Sequence, residues 1–412
     1  MKVVIVSNSD SVGGAARAAF RLMSAMIKQG THCNMVVKRK LSGSPHVIEN
    51  RSSWKKAKGL VLQKLSSLIA SSQKSSSSVL HSLNIFGSDV FQSVNNENPT
   101  VINIHWVNFE TLSIRQIAKF KQPVVMTLHD MWAFCGAEHL SPDSPNSAFR
   151  LGYDLGEHGY VSGLRINKYI WNLKKNHWTQ PFHLVVPSKW MADCVKTSEL
   201  FKGWPVSVVP NALDTNTFKP LEKGFCRDAF NLPLDKKLIG FGVFGNIDDP
   251  NKGLDLLKKA LSSLQNKHDY HCVVLGQESN LNSEELPIPS TYVGHISDDT
   301  ALSLIYNALD VMVVPSRQES LSQTGTEASS CGTPVVAFAY SGLLDVVEHM
   351  KTGFLAEPYD TLKLANGIEW CVENNLDCNL SINARKRAKS LWSYDAVAGK
   401  YSHIFERVAT KL

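Results

Sequence analysis

Short Val/Ile/Leu-rich runs alternate with longer helical patterns along this chain, in two successive series, and few architectures accept that rhythm. The first series reads KVVIVS, CNMVVK, TVINIHW, PVVMTLHD, FHLVVPS and VSVVPN. The second reads KLIGFGVFG, HCVVLG, STYVG, VMVVPS, TPVVAF and TGFLAEP. Near-continuous apolar runs of this length are strands covered on both faces, as in parallel sheets between helices. The segment AARAAFRLMSAMIKQG, closed by Gly30, has the pattern of a crossover helix. The series predict two doubly wound, Rossmann-like α/β domains, and 412 residues exceed the usual size of one core. The expected division follows VVPNALDTNTFKP. It gives an N-terminal, acceptor-side domain over 1–217, a nucleotide-sugar-binding domain over 218–388, and a helical segment over 389–412 packing back on the first domain.

A hydrophobic content of 43% and a charged content of 19% are those of a soluble globular protein. A net charge of +6 is too weak a signal for nucleic acid unless it is concentrated, so no nucleic-acid partner is expected. The eight cysteines are scattered without CxxC spacing, which offers neither a zinc nor a redox motif and fits buried, reduced thiols. MKVVIVSNSD reads as a strand, not a secretory leader, and no run of about 18 apolar residues suggests a membrane span. A cytoplasmic location is expected, with peripheral attachment to the inner face of the membrane as an option.

That option comes from residues 38–74. They carry Lys38, Arg39, Lys40, Arg51, Lys55, Lys56, Lys58, Lys64 and Lys74 against a lone Glu49. Inside, Trp54, Ala57, Val61, Leu65 and Leu68 recur at helical spacing. The pattern fits a helix lying on anionic lipid, and equally a helix packed on its own domain with a solvated basic face. Gly59 weakens the helix, and SSQKSSSSVLHS after it reads as a mobile loop.

The chemistry concentrates in ESLSQTGTEASSCGTPVVAF. VMVVPS is a strand, so Glu319 lies in the loop leaving its carboxyl end. A helix over about Ser322–Ser330, stopped by Gly332 and Pro334, carries Glu327. Ligands of doubly wound sheets bind at the carboxyl ends of strands, and a carboxylate accepts from two vicinal sugar hydroxyls at once. Taken singly, Glu327 is an ordinary helix residue and Glu319 a solvated loop charge. Taken together, with CGTPVVAF behind them, they make a recognisable pattern.

PSRQESLSQTGTEASSCGTPVVAF resembles the E-x7-E signature of family 4 glycosyltransferases, retaining enzymes of the GT-B fold with two Rossmann-like domains facing a central cleft. SDSVGGAARAAFRL, VMTLHDMWAF, VVPSKWMADCV, VVPNALDTNTFKP, NKGLDLL, HISDDTALSLIYNALDVMVVPS and HMKTGFLAEP agree in order. INIHWVN with TLHDMWAF is similar to the branch that builds bacterial colanic acid and O-antigen. The resemblance implies transfer of a hexosyl group, with retention and without a metal or other cofactor. The donor is a UDP- or GDP-linked sugar. The acceptor is a saccharide, in this branch a polyprenyl-diphosphate-linked oligosaccharide.

It also assigns residues. Glu319 meets the donor sugar and Glu327 the ribose, with Ser320, Leu321 and Ser322 between them in the donor site. Lys252 of FGNIDDPNKG matches the phosphate-binding lysine, while Gly245–Asn246 stand where Gly-Arg is usual, leaving Asn246 at the arginine position. Asp248 and Asp249 read as a turn cap. Gly13 and Gly14 match the glycine loop facing the donor phosphates or the acceptor, a place where a bare backbone and a helix N-terminus suit an anion. His129 is assigned to the donor sugar near the reacting carbon; His105 and Asp130 are acceptor-side candidates, although a histidine there is often a core residue with a carboxylate partner. CGAEHLSPDSPN departs from the branch pattern. Two alternatives stay open: an epimerase-like enzyme that modifies nucleotide sugars on the same fold, and a non-catalytic sugar-binding homologue, favoured by the missing arginine. SVGGAARAA lacks the G-x-G-x-x-G of a dinucleotide oxidoreductase.

Overall fold

The structure, a computed structural model, describes residues 1–49, 53–76, 78–156, 159–243, 249–277 and 285–410. The chain forms two compact units, residues 1–209 with 398–412, and residues 210–397. In the first, β1 (Lys2–Ser9), β2 (His32–Arg39), β3 (Val47–Glu49), β4 (Val101–Ile104), β5 (Val124–Thr127), β6 (His183–Val186) and β7 (Val206–Val208) form one parallel sheet in the order β3-β2-β1-β4-β5-β6-β7. In the second, β8 (Lys237–Gly242), β9 (Tyr270–Leu275), β10 (Ser290–Tyr292), β11 (Val311–Val314), β12 (Val335–Phe338) and β13 (Gly353–Ala356) do the same in the order β10-β9-β8-β11-β12-β13. The apolar runs are these strands, and the side chains of the inner strands are buried on both faces because helices cover both, whereas the edge strands β7 and β10 are only partly buried. The sequence pattern passed over the short edge strand β3.

The helices that matter for function are α1 (Gly14–Lys28), α2 (Ser53–Ala70), α3 (Leu254–Ser262), α4 (Gln323–Ser330) and α5 (Tyr394–Ala409). Helix α4 begins where the sequence places it: the Ser322 hydroxyl accepts from the Gly325 N–H, and Gly332 takes positive φ beyond its end.

The division of the chain differs from the expected cuts at 217 and 389. Leu213 and Phe218 are buried in the second unit's core, and the Leu213 N–H donates to the Trp392 carbonyl, so 210–217 and 389–397 both belong there. From 398 the chain is part of the first unit, where the Tyr401 hydroxyl meets Thr127 Oγ1 at 3.1 Å.

Helix α2 is continuous despite Gly59. Its inner side is held by polar contacts and, in the last turn, by Ile69 and Ala70 against the apolar core. Ser66 donates to Glu110, whose carboxylate also takes the N–H groups of Phe86 and Gly87, and Gln63 accepts from Lys38. The expected mobile stretch after it is partly a strand, Gln73–Ser75, paired antiparallel with Tyr160–Gly163, and the buried Gln73 accepts from the Asn167 N–H. Among the described residues no helix is long and apolar enough to cross a membrane, and seven of the eight cysteines are buried free thiols.

Candidate functional site

In each sheet the strand order reverses its direction of growth at one place, between β1 and β4 and between β8 and β11. Chain segments leave the carboxyl ends of such neighbours in opposite directions and open a crevice there. The sequence-assigned residues cluster at these two crevices.

In the second unit Lys252 follows β8 and Glu319 follows β11. Their side chains meet, Lys252 Nζ donating to Glu319 Oε1 at 2.8 Å. The turn that carries Lys252 is laced to the loop that carries Glu319. The Arg317 N–H donates to the Asn251 carbonyl at 2.8 Å, and Asn251 Nδ2 donates to the Gln318 carbonyl at 2.8 Å. Gly253 has φ +71°, and a Cβ there would overlap the Pro315 carbonyl, so glycine is required twice over. Asp249 caps the turn, accepting from the Asn251 N–H. Glu319 is further fixed by Ser316 Oγ on Oε1, by its N–H donating to Ser341 Oγ, and by the Gly342 N–H on its carbonyl. The negative charge of Glu319 raises the pKa of Lys252 against the lowering effect of burial, so the ammonium is kept charged in a part-buried place.

Glu327 lies in α4 with only 3% of its surface exposed, and Tyr306 donates to its Oε2 at 2.7 Å. Leu321 is a core residue, so only its backbone can meet a ligand, while Ser322 Oγ serves the helix cap and Ser320 lies against Gly342. Gly245, Asn246 and Asp248 lie outside the described residues. Arg317, a cation near this crevice, is committed to Asp255 through two hydrogen bonds of 2.9 and 2.7 Å and does not replace the missing arginine.

In the first unit Gly13, with φ 86°, turns the chain from β1 into α1, whose first residue is Gly14. His105 and His129 follow the neighbouring strands β4 and β5, and their rings stack at 5.1 Å with His105 Nδ1 2.8 Å from His129 Nε2. Burial lowers the pKa of both, His105 well below the ordinary value and His129 to about 4. The carboxylate of Asp130 is turned elsewhere. It pairs with His139 at 2.6 Å and accepts from the Trp106 indole and the Trp132 N–H. The expected partner of a histidine at 129 thus belongs to a histidine at 139, inside the stretch that departs from the branch pattern. Burial works against ionisation of Asp130, but these partners hold its pKa below the ordinary value.

Two further residues escaped the sequence reading. His139 Nε2 continues to Ser82 Oγ. Lys174 is fully buried, donates to the carbonyls of Trp132, Cys135 and Gly136, and lies 3.9 Å from the centre of the Trp132 ring. It clamps the loop that follows Asp130, and burial brings its pKa down to about 7. No local signal marks either residue, since a lysine inside a helical pattern reads as surface.

Two family models match the chain: one described as Glycosyltransferase Family 4 over residues 12–217, and one described as Glycosyl transferases group 1 over residues 227–390. The D-inositol 3-phosphate glycosyltransferase of Mycolicibacterium smegmatis is 28% identical over 214 residues, covering 48% of this chain and 47% of the relative. The chain spans about half the length of the curated relatives it matches. Sucrose-phosphate synthase from Thermosynechococcus elongatus has a similar structure, with a TM-score of 0.69 at 18% identity and full coverage of both chains. Anabaena HepE in complex with UDP and glucose has a TM-score of 0.63 at 18% identity, over 98% of this chain and 99% of that one.

The glycine requirement at 253 is open to test. Gly253→Ala is expected to destabilise the second unit by about 1–3 kcal/mol, the usual cost of forcing a side chain into such a backbone conformation, and to displace Lys252. Urea unfolding monitored by tryptophan fluorescence measures the first effect; an unchanged midpoint would contradict the packing described.

Proposed function

The chain belongs to glycosyltransferase family 4 and has the GT-B fold, and from that premise we propose that it transfers a hexosyl group, with retention, from a nucleotide sugar to a saccharide acceptor. The observation that carries this reading is the Lys252–Glu319 pair at the switch point of the second sheet. Before donor binds, the two side chains neutralise each other in a part-buried place. A donor diphosphate carries more negative charge than one carboxylate and draws Lys252 to itself. Glu319 is thereby released to accept from the sugar hydroxyls. One binding event then places a cation on the leaving group and an acceptor on the sugar. Glu327, held by Tyr306, takes the ribose, and Ser320, Leu321 and Ser322 offer backbone groups around it.

Retention without an evident nucleophile fits a front-face displacement. The bond from the sugar's reacting carbon to the diphosphate breaks as the acceptor oxygen attacks from the same side. The departing phosphate oxygen takes the acceptor proton, Lys252 spreads the charge, and the resemblance implies a phosphate-facing role for the glycine loop at Gly13 and Gly14. No step requires a metal, and none is included. His129 contacts the donor sugar, as the resemblance implies. UDP, seen with Anabaena HepE, is the first donor nucleotide to try and GDP the second. The curated relatives act on an inositol phosphate by name. We nonetheless read the acceptor as a polyprenyl-diphosphate-linked oligosaccharide of surface-polysaccharide synthesis, on the INIHWVN and TLHDMWAF motifs and on the character of α2.

The outer side of α2 supports a site of action at the inner face of the cytoplasmic membrane. Trp54 is 78% exposed, and Val61, Leu65 and Leu68 follow it along one stripe, all exposed. Lys58 and Lys64 flank the stripe in solvent, whereas Lys55 and Lys56 face Asp89 and Glu49. Exposed apolar residues bordered by lysines suit an anionic lipid surface.

Screening UDP- and GDP-sugars by thermal shift should find one that raises the melting temperature, since a ligand bound only to the folded state stabilises it. With that donor, Lys252→Ala is expected to reduce turnover about 10²–10³-fold at saturation, the loss of one preorganised charge-stabilising group, and Glu319→Ala to reduce it strongly. Wild-type rates in either would discard the assignment. Turnover should survive EDTA, and isomerisation of the donor without any acceptor would favour the epimerase-like alternative.

Lys58→Glu with Lys64→Glu, or Trp54→Ser, should abolish co-sedimentation with vesicles rich in phosphatidylglycerol and leave the melting temperature unchanged. Undiminished co-sedimentation would remove the membrane from the account.

A further inference from the structure

We propose that His105 and Asn103 are positioning residues that hold His129 in a single tautomer, with hydrogen on Nε2 and a bare, accepting Nδ1. The argument begins at Asn103, fully buried in β4. Its Nδ2 lies 3.1 Å from the Val125 carbonyl and 3.0 Å from Thr127 Oγ1, both on the adjacent strand β5. A backbone carbonyl can only accept, so the amide nitrogen must face it, and this fixes the amide's orientation. The other atom, Oδ1, is then an acceptor, and it lies 2.9 Å from His105 Nε2. His105 Nε2 therefore carries hydrogen.

Only one hydrogen remains on a neutral imidazole, and His105 is kept neutral by burial and by the ring of His129 stacked on it. Its Nδ1 is thus bare. That atom lies 2.8 Å from His129 Nε2, so the contact closes only if His129 donates. His129 is in turn neutral, and its single hydrogen is spent on His105. The order of donation is His129 to His105 to Asn103, with Asn103 anchored on Thr127, which the Tyr401 hydroxyl of α5 also meets. Asp130, whose charge would favour an imidazolium, is engaged by His139, Trp106 and the Trp132 N–H.

The consequence for chemistry rests on the placement of His129 at the donor sugar proposed above. An imidazole so fixed cannot donate from Nδ1. It can accept from a sugar hydroxyl, and it brings no positive charge next to a carbon that becomes cationic as its bond to phosphate breaks. His105 acts through His129 and is removed from the acceptor contacts.

The test reads the tautomer directly. Protein labelled with ring-15N histidine, with the His129 signals assigned by difference from His129→Asn, should show Nε2 protonated and Nδ1 bare at neutral pH in the wild type. A bare Nε2, or an imidazolium, overturns the proposal, and this measurement needs no mutant of the relay to fold. His105→Leu removes the acceptor and should lower the share of the Nε2-protonated tautomer of His129. The side-chain oxygen of His105→Asn can occupy the Nδ1 position and should keep the wild-type signals. An unchanged tautomer in His105→Leu overturns the role given to His105. In activity, His105→Leu should lower kcat at least tenfold with little change in the KM for donor, and His105→Asn should recover most of it. A His129→Ala enzyme with undiminished turnover would discard the donor-sugar contact alone; the ring signals would still decide the tautomer.

Discussion

All strands of both large sheets run in the same direction within their sheet, and the site geometry follows from that constraint. A parallel sheet gathers the carboxyl ends of its strands along one edge, and a reversal in strand order opens a crevice between two of those ends. Residues far apart in sequence and each just past a strand become neighbours there. Lys252 and Glu319, separated by 67 positions, meet beyond β8 and β11. His105 and His129, separated by 24, meet past the ends of the adjacent strands β4 and β5, beside the reversal between β1 and β4. Burial of the strands on both faces supplies the rigidity, since a packed sheet cannot let one loop drift without disturbing the strand beneath it.

The two crevices use different electrostatics. In the second unit opposite charges are paired, and Glu319 raises the pKa of Lys252. In the function proposed above, a diphosphate would exchange one partner of this pair for another. In the first unit burial suppresses charge on both stacked histidines, and the neighbouring carboxylate of Asp130 is given to His139. Positive charge is thus held in the crevice of the second unit and suppressed on the stacked histidines of the first. Lys174, buried under the loop after Asp130, donates to three backbone carbonyls, a structural use of its amine.

Helix α2 shows how the same residues can satisfy packing and leave a surface for something else. Its inner side is tied down by Ser66, Gln63 and the shared carboxylate of Glu110, and its last turn packs Ile69 and Ala70 on the apolar core. Its apolar stripe is therefore not needed to hold it, and that stripe faces outward. A helix packed only for stability would place these sides the other way round.

The sequence by itself determined the strands of the two sheets other than the short β3, the two doubly wound units and the family, because hydrophobic periodicity and turn residues act over a few positions and the signature around Glu319 and Glu327 is contiguous. It also placed the start of α4, through the Ser322 cap. Only the tertiary structure decided where the units divide, since the membership of 210–217 is set by the packing of Leu213 and Phe218 with Trp392. It alone decided that Asp130 answers His139, that Lys174 is buried, and that the amide of Asn103 orders two imidazoles. Those outcomes depend on hydrogen-bond partners brought together across strands and loops, and a polar side chain in a sequence does not say which of its neighbours in space will complete it.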